Sequence, residues 1–112
     1  RVLFRSGERV AYGNLGTAYQ SLRDFRKAIT YDEKGLKIAV EIGNRAGEVE
    51  AYGDFGIGYC SLGDFQKAVE YHEKALKIAI EIGDRFEEKR AYGNLGSSYL
   101  LLSAFRKVHR VS

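Results

Sequence analysis

The sequence predicts an all-α fold, an α-solenoid of antiparallel helix A–helix B hairpins with two full repeats and partial repeats at both ends. Three observations carry this. Residues 51–90 align without a gap on residues 11–50 and match at 23 of 40 positions. A third copy begins at Ala91 and agrees with the first at 11 of its 20 aligned residues. Gly, Asn and Asp recur at the same places in each full unit while Pro is absent, so short turns divide each unit into two segments. Self-similarity at a fixed period of this length marks a stack whose core is buried between neighbouring units. The chain is accordingly divided as one array over 1–112, with 1–10 leading into helix A, full repeats at 11–50 and 51–90, and a partial repeat at 91–112.

Helix A of the first full unit is expected from about Gly7 to Leu22, with Tyr12, Leu15, Gly16 and Tyr19 at helical spacing. The turn Arg23-Asp24, matched by Gly63-Asp64, places a carboxylate where it can accept the free N–H groups that open the next helix. Helix B then runs from Phe25 to about Ile42, with Phe25, Ala28, Ile29, Leu36 and Ala39 on one face. Gly43 and Gly83 stand where a helix ends in a left-handed residue, and Asn44 and Asp84 cap the following helix A. In the last copy Ser103-Ala104-Phe105 replaces Gly63-Asp64-Phe65, and a third helix B of about seven residues is expected, leaving Leu100, Leu101, Leu102 and Phe105 poorly covered. Such uncapped ends predict marginal stability or end-to-end association.

Within the chain, physics accounts for the small positions. Gly16, Gly56 and Gly96 remove a side chain where helix B must approach helix A, and Ala28 and Ala68 do the same from the other side. The tyrosines are expected to fill the gap to the neighbouring hairpin.

With 45% hydrophobic and 29% charged residues and no long apolar run, the composition is that of a soluble chain with no membrane span. The 18 basic and 15 acidic residues are interleaved, which lacks the contiguous basic face that nucleic acid needs. One cysteine makes no internal disulfide and fits a reducing, cytoplasmic setting. The opening RVLFRSGERV carries no signal-peptide pattern and keeps Arg5 in register with Arg45 and Arg85, as the tail of an earlier repeat would, so an excerpt of a longer array is expected.

These residues resemble the tetratricopeptide repeat in a forty-residue form. The aromatic, Leu-Gly and Tyr pattern of helix A stands as Tyr12, Leu15-Gly16 and Tyr19, then Tyr52, Phe55-Gly56 and Tyr59, then Tyr92, Leu95-Gly96 and Tyr99. The Gly-Asp-aromatic turn and the Ala of helix B stand as Gly63, Asp64, Phe65 and Ala68. The continuation of helix B into Ile-Gly-Asp/Asn-Arg, without the shorter form's Pro, is similar to animal cell-polarity adaptors that carry GoLoco motifs and to tetratricopeptide protein 28-like arrays. The resemblance implies a concave surface lined by the A helices that binds a protein or peptide segment, with no cofactor and no catalysis.

Helix A positions not used for packing form a second stripe. Its candidate groove residues are Asn14, Thr17 and Gln20, then Asp54, Ile57 and Cys60, then Arg90, Asn94 and Ser97. An amide at Asn14 and Asn94 offers both donor and acceptor to an extended peptide backbone, as the resemblance implies, or bonds its own helix. Asp54 lacks the donors. Arg90 and Glu50 at the groove edge either select charge in a ligand or are ordinary surface groups.

No catalytic constellation emerges. His72 replaces Asp32 between copies, Cys60 aligns with Gln20 and Leu100, and His109 has no ligand partner at metal spacing. Gly56-Ile57-Gly58 half resembles a dinucleotide fingerprint, but Ser61 stands at the third Gly and no strand precedes it. The expected function is a non-enzymatic scaffold that holds a partner segment in the groove; the alternative is a spacer or self-association module of a larger protein.

Overall fold

Four turns of one design set the architecture. A computed structural model describes residues 1–110, in five helices: α1 (Val2–Ser21), α2 (Phe25–Glu41), α3 (Arg45–Ser61), α4 (Phe65–Ile82) and α5 (Arg85–His109). The last two residues of the expected 91–112 partial repeat lie outside the described residues. At each turn one residue takes a left-handed conformation: Arg23 (φ 64°), Gly43 (70°), Gly63 (86°) and Gly83 (71°). Its N–H and that of the next residue bond back to the helix just ended, as in Asp64 N–H to Tyr59 O at 2.9 Å and Gly63 N–H to Cys60 O at 3.0 Å. That next residue then caps the helix ahead. Asp24, Asn44, Asp64 and Asp84 accept the N–H of Lys27, Gly47, Lys67 and Glu87 at 3.2, 2.9, 3.1 and 3.0 Å.

Where this chemistry is missing, the helix does not stop. Leu3-Phe4 occupy the repeat positions of Gly43-Asn44, so α1 runs unbroken from Val2, ahead of the expected start at Gly7. Ser103-Ala104 offer neither a glycine nor a carboxylate cap, and α5 continues through them to His109. The expected third helix B does not form: the last copy is one helix of 25 residues.

Each helix packs on its neighbours in sequence, and α3 also meets α5, which sets α1, α3 and α5 side by side as A helices with α2 and α4 behind as B helices. The molecule measures 55 × 31 × 19 Å. Val49, Ala75, Ile78 and Ala79 form one buried cluster, Ile29, Ala51 and Phe55 a second, and Val69, Leu95 and Leu102 a third. Leu102 is thus covered by α4, contrary to expectation, whereas Leu100 (73% exposed) and Phe105 (45%) are open to solvent. The tyrosines act first inside each hairpin. Tyr12 and Tyr19 of α1 stack on Tyr31 of α2 at 6.2 and 5.4 Å, and Tyr52 and Tyr59 of α3 on Tyr71 of α4 at 6.0 and 5.5 Å. Tyr52, Tyr59 and Tyr71 also cover the Ile29–Phe55 cluster that joins the two hairpins.

The arginine early in helix A ties it to the end of its own helix B. Arg45 pairs with Glu48 at 3.0 Å and Glu81 at 2.8 Å, and Arg5 repeats this with Glu8 and Glu41. Among the described residues Arg85 makes no such pair, because no later helix B carries its glutamate.

Gly16 and Gly56 lie where helix B comes closest. A methyl on Gly16 would run into the Asp32 carboxyl, and one on Gly56 into the His72 ring; beside Gly96, with no helix B opposite, nothing comes within 4 Å. Gly56→Ala should therefore cost roughly 1–3 kcal/mol by overpacking. Gly96→Ala should be neutral or stabilise by up to about 1 kcal/mol through helix propensity. Thermal unfolding of the two variants checks the contrast.

Asp32 (6% exposed) and His72 (2%) occupy the same repeat position, and burial acts on them in opposite senses. It raises the Asp32 carboxyl from 3.8 to about 7, with Asp54 adding to the rise, and lowers His72 from 6.5 to about 4, with Arg90 adding to the fall. A carboxyl that holds its proton more tightly when folded makes folding less favourable as pH climbs from about 4 to about 7. An imidazole that holds its proton less tightly when folded makes folding less favourable as pH falls from 6.5 towards 4. Relative to the parent, Asp32→Asn should gain roughly 2–4 kcal/mol as pH rises through that window. His72→Asn should gain a similar amount, roughly 2–3 kcal/mol, as pH falls through it. Urea unfolding at a series of pH values reads both differences, and flat difference curves would exclude the assignment.

Candidate functional site

Aligning three A helices leaves their unpacked faces in one row, and a cleft of about 350 Å3 opens along it. Arg9, Val10, Gly13, Asn14 and Thr17 of α1 form one wall, Glu50 and Asp54 of α3 the middle, and Arg90 of α5 the far edge. The walls are mixed in charge, but the cations are largely engaged: Arg9 Nη1 lies 3.3 Å from Glu50 and Arg90 Nη1 3.4 Å from Glu87.

Asp54 is the unusual member. Half-buried in the floor, it is raised from 3.8 to about 6, first by burial and then by Glu50 and Glu87, with Arg90 acting against the rise.

Below the cleft lies a crevice of about 40 Å3, reached past Arg9, Gly13, Glu50 and Asp54 and closed by Asp32, Gly35, Gly47 and Ala51. A second crevice is its copy one repeat further on, each of its eight lining residues displaced by 40 positions: Val49, Gly53, His72, Ala75, Glu87, Arg90, Ala91 and Asn94. Ala75 and Glu87 stand where the first has Gly35 and Gly47, and the space shrinks to about 10 Å3.

Of the residues singled out in the sequence, Asn14, Thr17, Asp54 and Arg90 share the main cleft. Asn94 lines the second crevice. Gln20, Ile57 and Cys60 are half-buried further along α1 and α3, and Ser97 is exposed on α5; none is a wall of the main cleft. Burial raises the Cys60 thiol, the opposite of what a nucleophilic thiolate needs.

Two residues escaped the sequence reading. Arg9 aligns with Val49 and Lys89, so repeat comparison gives it no pattern. Asp32 looked like simple variation against His72, although a polar residue inside an apolar helix B stripe was the available signal.

Among the described residues no helix is long and apolar enough to cross a membrane, and no group of three or more His, Cys, Asp or Glu could hold a metal ion.

Comparison with known proteins agrees with this geometry. No curated protein matches the chain. Among solved structures, the crystal structure of the TPR domain of Arabidopsis FLU superposes with a TM-score of 0.85 over 95% of this chain and 89% of that one, at 21% identity, a likeness of fold. The family profile described as tetratricopeptide repeat matches residues 7–81 and 58–110. With its hairpins, its turns and this match over nearly its whole length, the chain belongs to the tetratricopeptide repeat family.

Proposed function

We propose that the chain is a non-enzymatic scaffold, acting in the cytoplasm, that captures an extended or helical segment of a partner protein along the row of A helices. The observation that carries this is the cleft itself: polar groups of three successive A helices, Asn14, Thr17, Asp54 and Arg90, line a single trough of about 350 Å3 beside the apolar Val10. Tetratricopeptide repeats as a family serve as protein-interaction scaffolds. The forty-residue period and the helix B that continues into Ile-Gly-Asp/Asn-Arg add a kinship with GoLoco-type polarity adaptors and tetratricopeptide protein 28-like arrays.

In this reading Asn14 and Asn94 bond the backbone of the segment, and Gln20, Ile57, Cys60 and Ser97 extend its track past the cleft. Twelve-residue peptides selected by phage display on the chain supply ligands for calorimetry. Asn14→Ala combined with Asn94→Ala should weaken them by roughly 10- to 30-fold, the loss of two neutral hydrogen bonds. Undiminished binding at unchanged helicity would remove the groove assignment.

A second reading, self-association through the ends, is favoured by apolar side chains left open there: Leu3 (86% exposed) and Phe4 (73%) on α1, Leu100 and Val108 (75%) on α5. Exposed apolar faces at the ends of a repeat stack invite stacking against another unit. Sedimentation should then show mass rising with concentration, and a strict monomer at all concentrations counts against it.

A further inference from the structure

The crevice under the cleft is lined by a carboxyl that packs over Gly16 but makes no hydrogen bond within the fold. Asp32 is only 6% exposed, lines the crevice, and has neither a hydrogen bond nor an ion pair among the described residues. A buried carboxyl ordinarily finds a donor, because burial strips it of water that nothing else replaces. The floor above it adds a second carboxyl, Asp54, near enough for its charge to act on Asp32.

The cations nearby are paired elsewhere, although the Arg90 charge still acts on Asp54. Arg9 is held by Glu50 and Arg90 by Glu87, and Arg9 Nε is itself buried without a partner. About 40 Å3 of space is left between them, enough for a compact group and one water.

The space is specific to this repeat. The homologous crevice replaces Asp32 by His72, Asp54 by Asn94 and Glu50 by Arg90, and fills the volume of Gly35 with Ala75. Its one carboxylate, Glu87, is paired with Arg90, so it lacks the Asp32–Asp54 pair as well as the room.

We infer that the first crevice is a socket for a lysine of the bound segment, whose ammonium sits between the Asp32 and Asp54 carboxyls while its stem and backbone lie in the wider cleft above. The inference rests on the groove reading and names the chemistry that the groove selects. An ammonium is a compact three-donor cation, and two convergent carboxyls with a narrow approach suit it better than the planar, wider guanidinium. Glycine at 13 leaves the approach open, and glycine at 35 and 47 leaves the far side of the crevice without side chains. Filling the socket requires both carboxyls ionised, so protons compete with the ligand. The facing charges are Arg9 on α1, Asp32 on α2, Glu50 and Asp54 on α3, and Glu87 and Arg90 on α5. Of these, Asp32 and Asp54 give up their protons near neutrality, and lysine binding should weaken as pH falls from 8 to 5.

Two measurements on the full chain test this. The first titrates it at constant ionic strength with n-butylammonium, which copies a lysine side chain, and with tetramethylammonium, which carries the charge but no N–H donor. Carboxyl 13C shifts are read by NMR. Saturable shifts of Asp32 and Asp54 with n-butylammonium alone, lost in the neutral isostere Asp32→Asn, are expected. Equal responses to both cations, or none to n-butylammonium, would overturn the socket.

The second uses the phage-selected peptides. They should carry lysine at one fixed position, and Asp32→Asn or Asp54→Asn should each weaken them at least about tenfold. Peptides that depend on Asn14 and Asn94 but carry no fixed lysine would leave the groove standing and overturn the socket. A response to n-butylammonium in a chain that selects no peptide would overturn the groove and keep the cation site.

Discussion

The structure depends on a turn in which one residue closes a helix and opens the next. Asp24, Asn44, Asp64 and Asp84 each donate a backbone N–H back across the preceding helix end and accept an N–H of the following helix through the side chain. With both duties on one residue, three residues suffice to reverse the chain. Successive helices are thereby held antiparallel and in contact, and every A helix returns to the same side of the stack. The groove follows from this, since only identical turns would bring Asn14, Asp54 and Arg90 into one row. The ends show the same rule by default: α1 and α5 run on where the turn residues are absent.

Inside each hairpin the glycine of helix A is answered by a polar side chain of helix B, Asp32 over Gly16 and His72 over Gly56. The glycine has no side chain to fill the gap, and a short polar group takes its place. Both groups are thus buried by a packing requirement and not by a hydrogen-bonding one, as His72 Nδ1, which has no partner, makes plain. The repeat has kept the shape of that contact and varied its charge. In one hairpin the result is an acidic crevice beneath the groove, and in the next a smaller one with an imidazole.

Much of this was legible in the sequence because it is local. Period, turns, caps and the Gly–Ala approach each depend on residues within one repeat, and a second copy confirms each of them. Four of the nine groove residues lie together in the cleft for the same reason: they repeat the spacing of one helix face. What escaped lies where the copies differ or where a neighbouring hairpin supplies the cover. The fate of Ser103-Ala104 turns on whether a weak stop signal overcomes helix propensity, and without a left-handed residue or a capping carboxylate it does not. Leu102 reads as poorly covered in the sequence because its cover, Val69 on α4, comes from the hairpin before it. Asp32 was passed over because alignment treats Asp against His as divergence, whereas burial makes it a statement about the space beside both.

The two crevices differ although their walls correspond residue for residue, so translation by one repeat is not a symmetry of the groove. A uniform solenoid offers an elongated partner many equivalent resting places, and the partner can slip from one to the next at little cost. Here a step of one repeat exchanges a roomy acidic recess for a tight one bearing Asn94, Arg90 and His72. For the partner segment proposed above, the array would act as a graduated ruler, distinguishing positions along its length, and polarity with them, although its scaffold repeats.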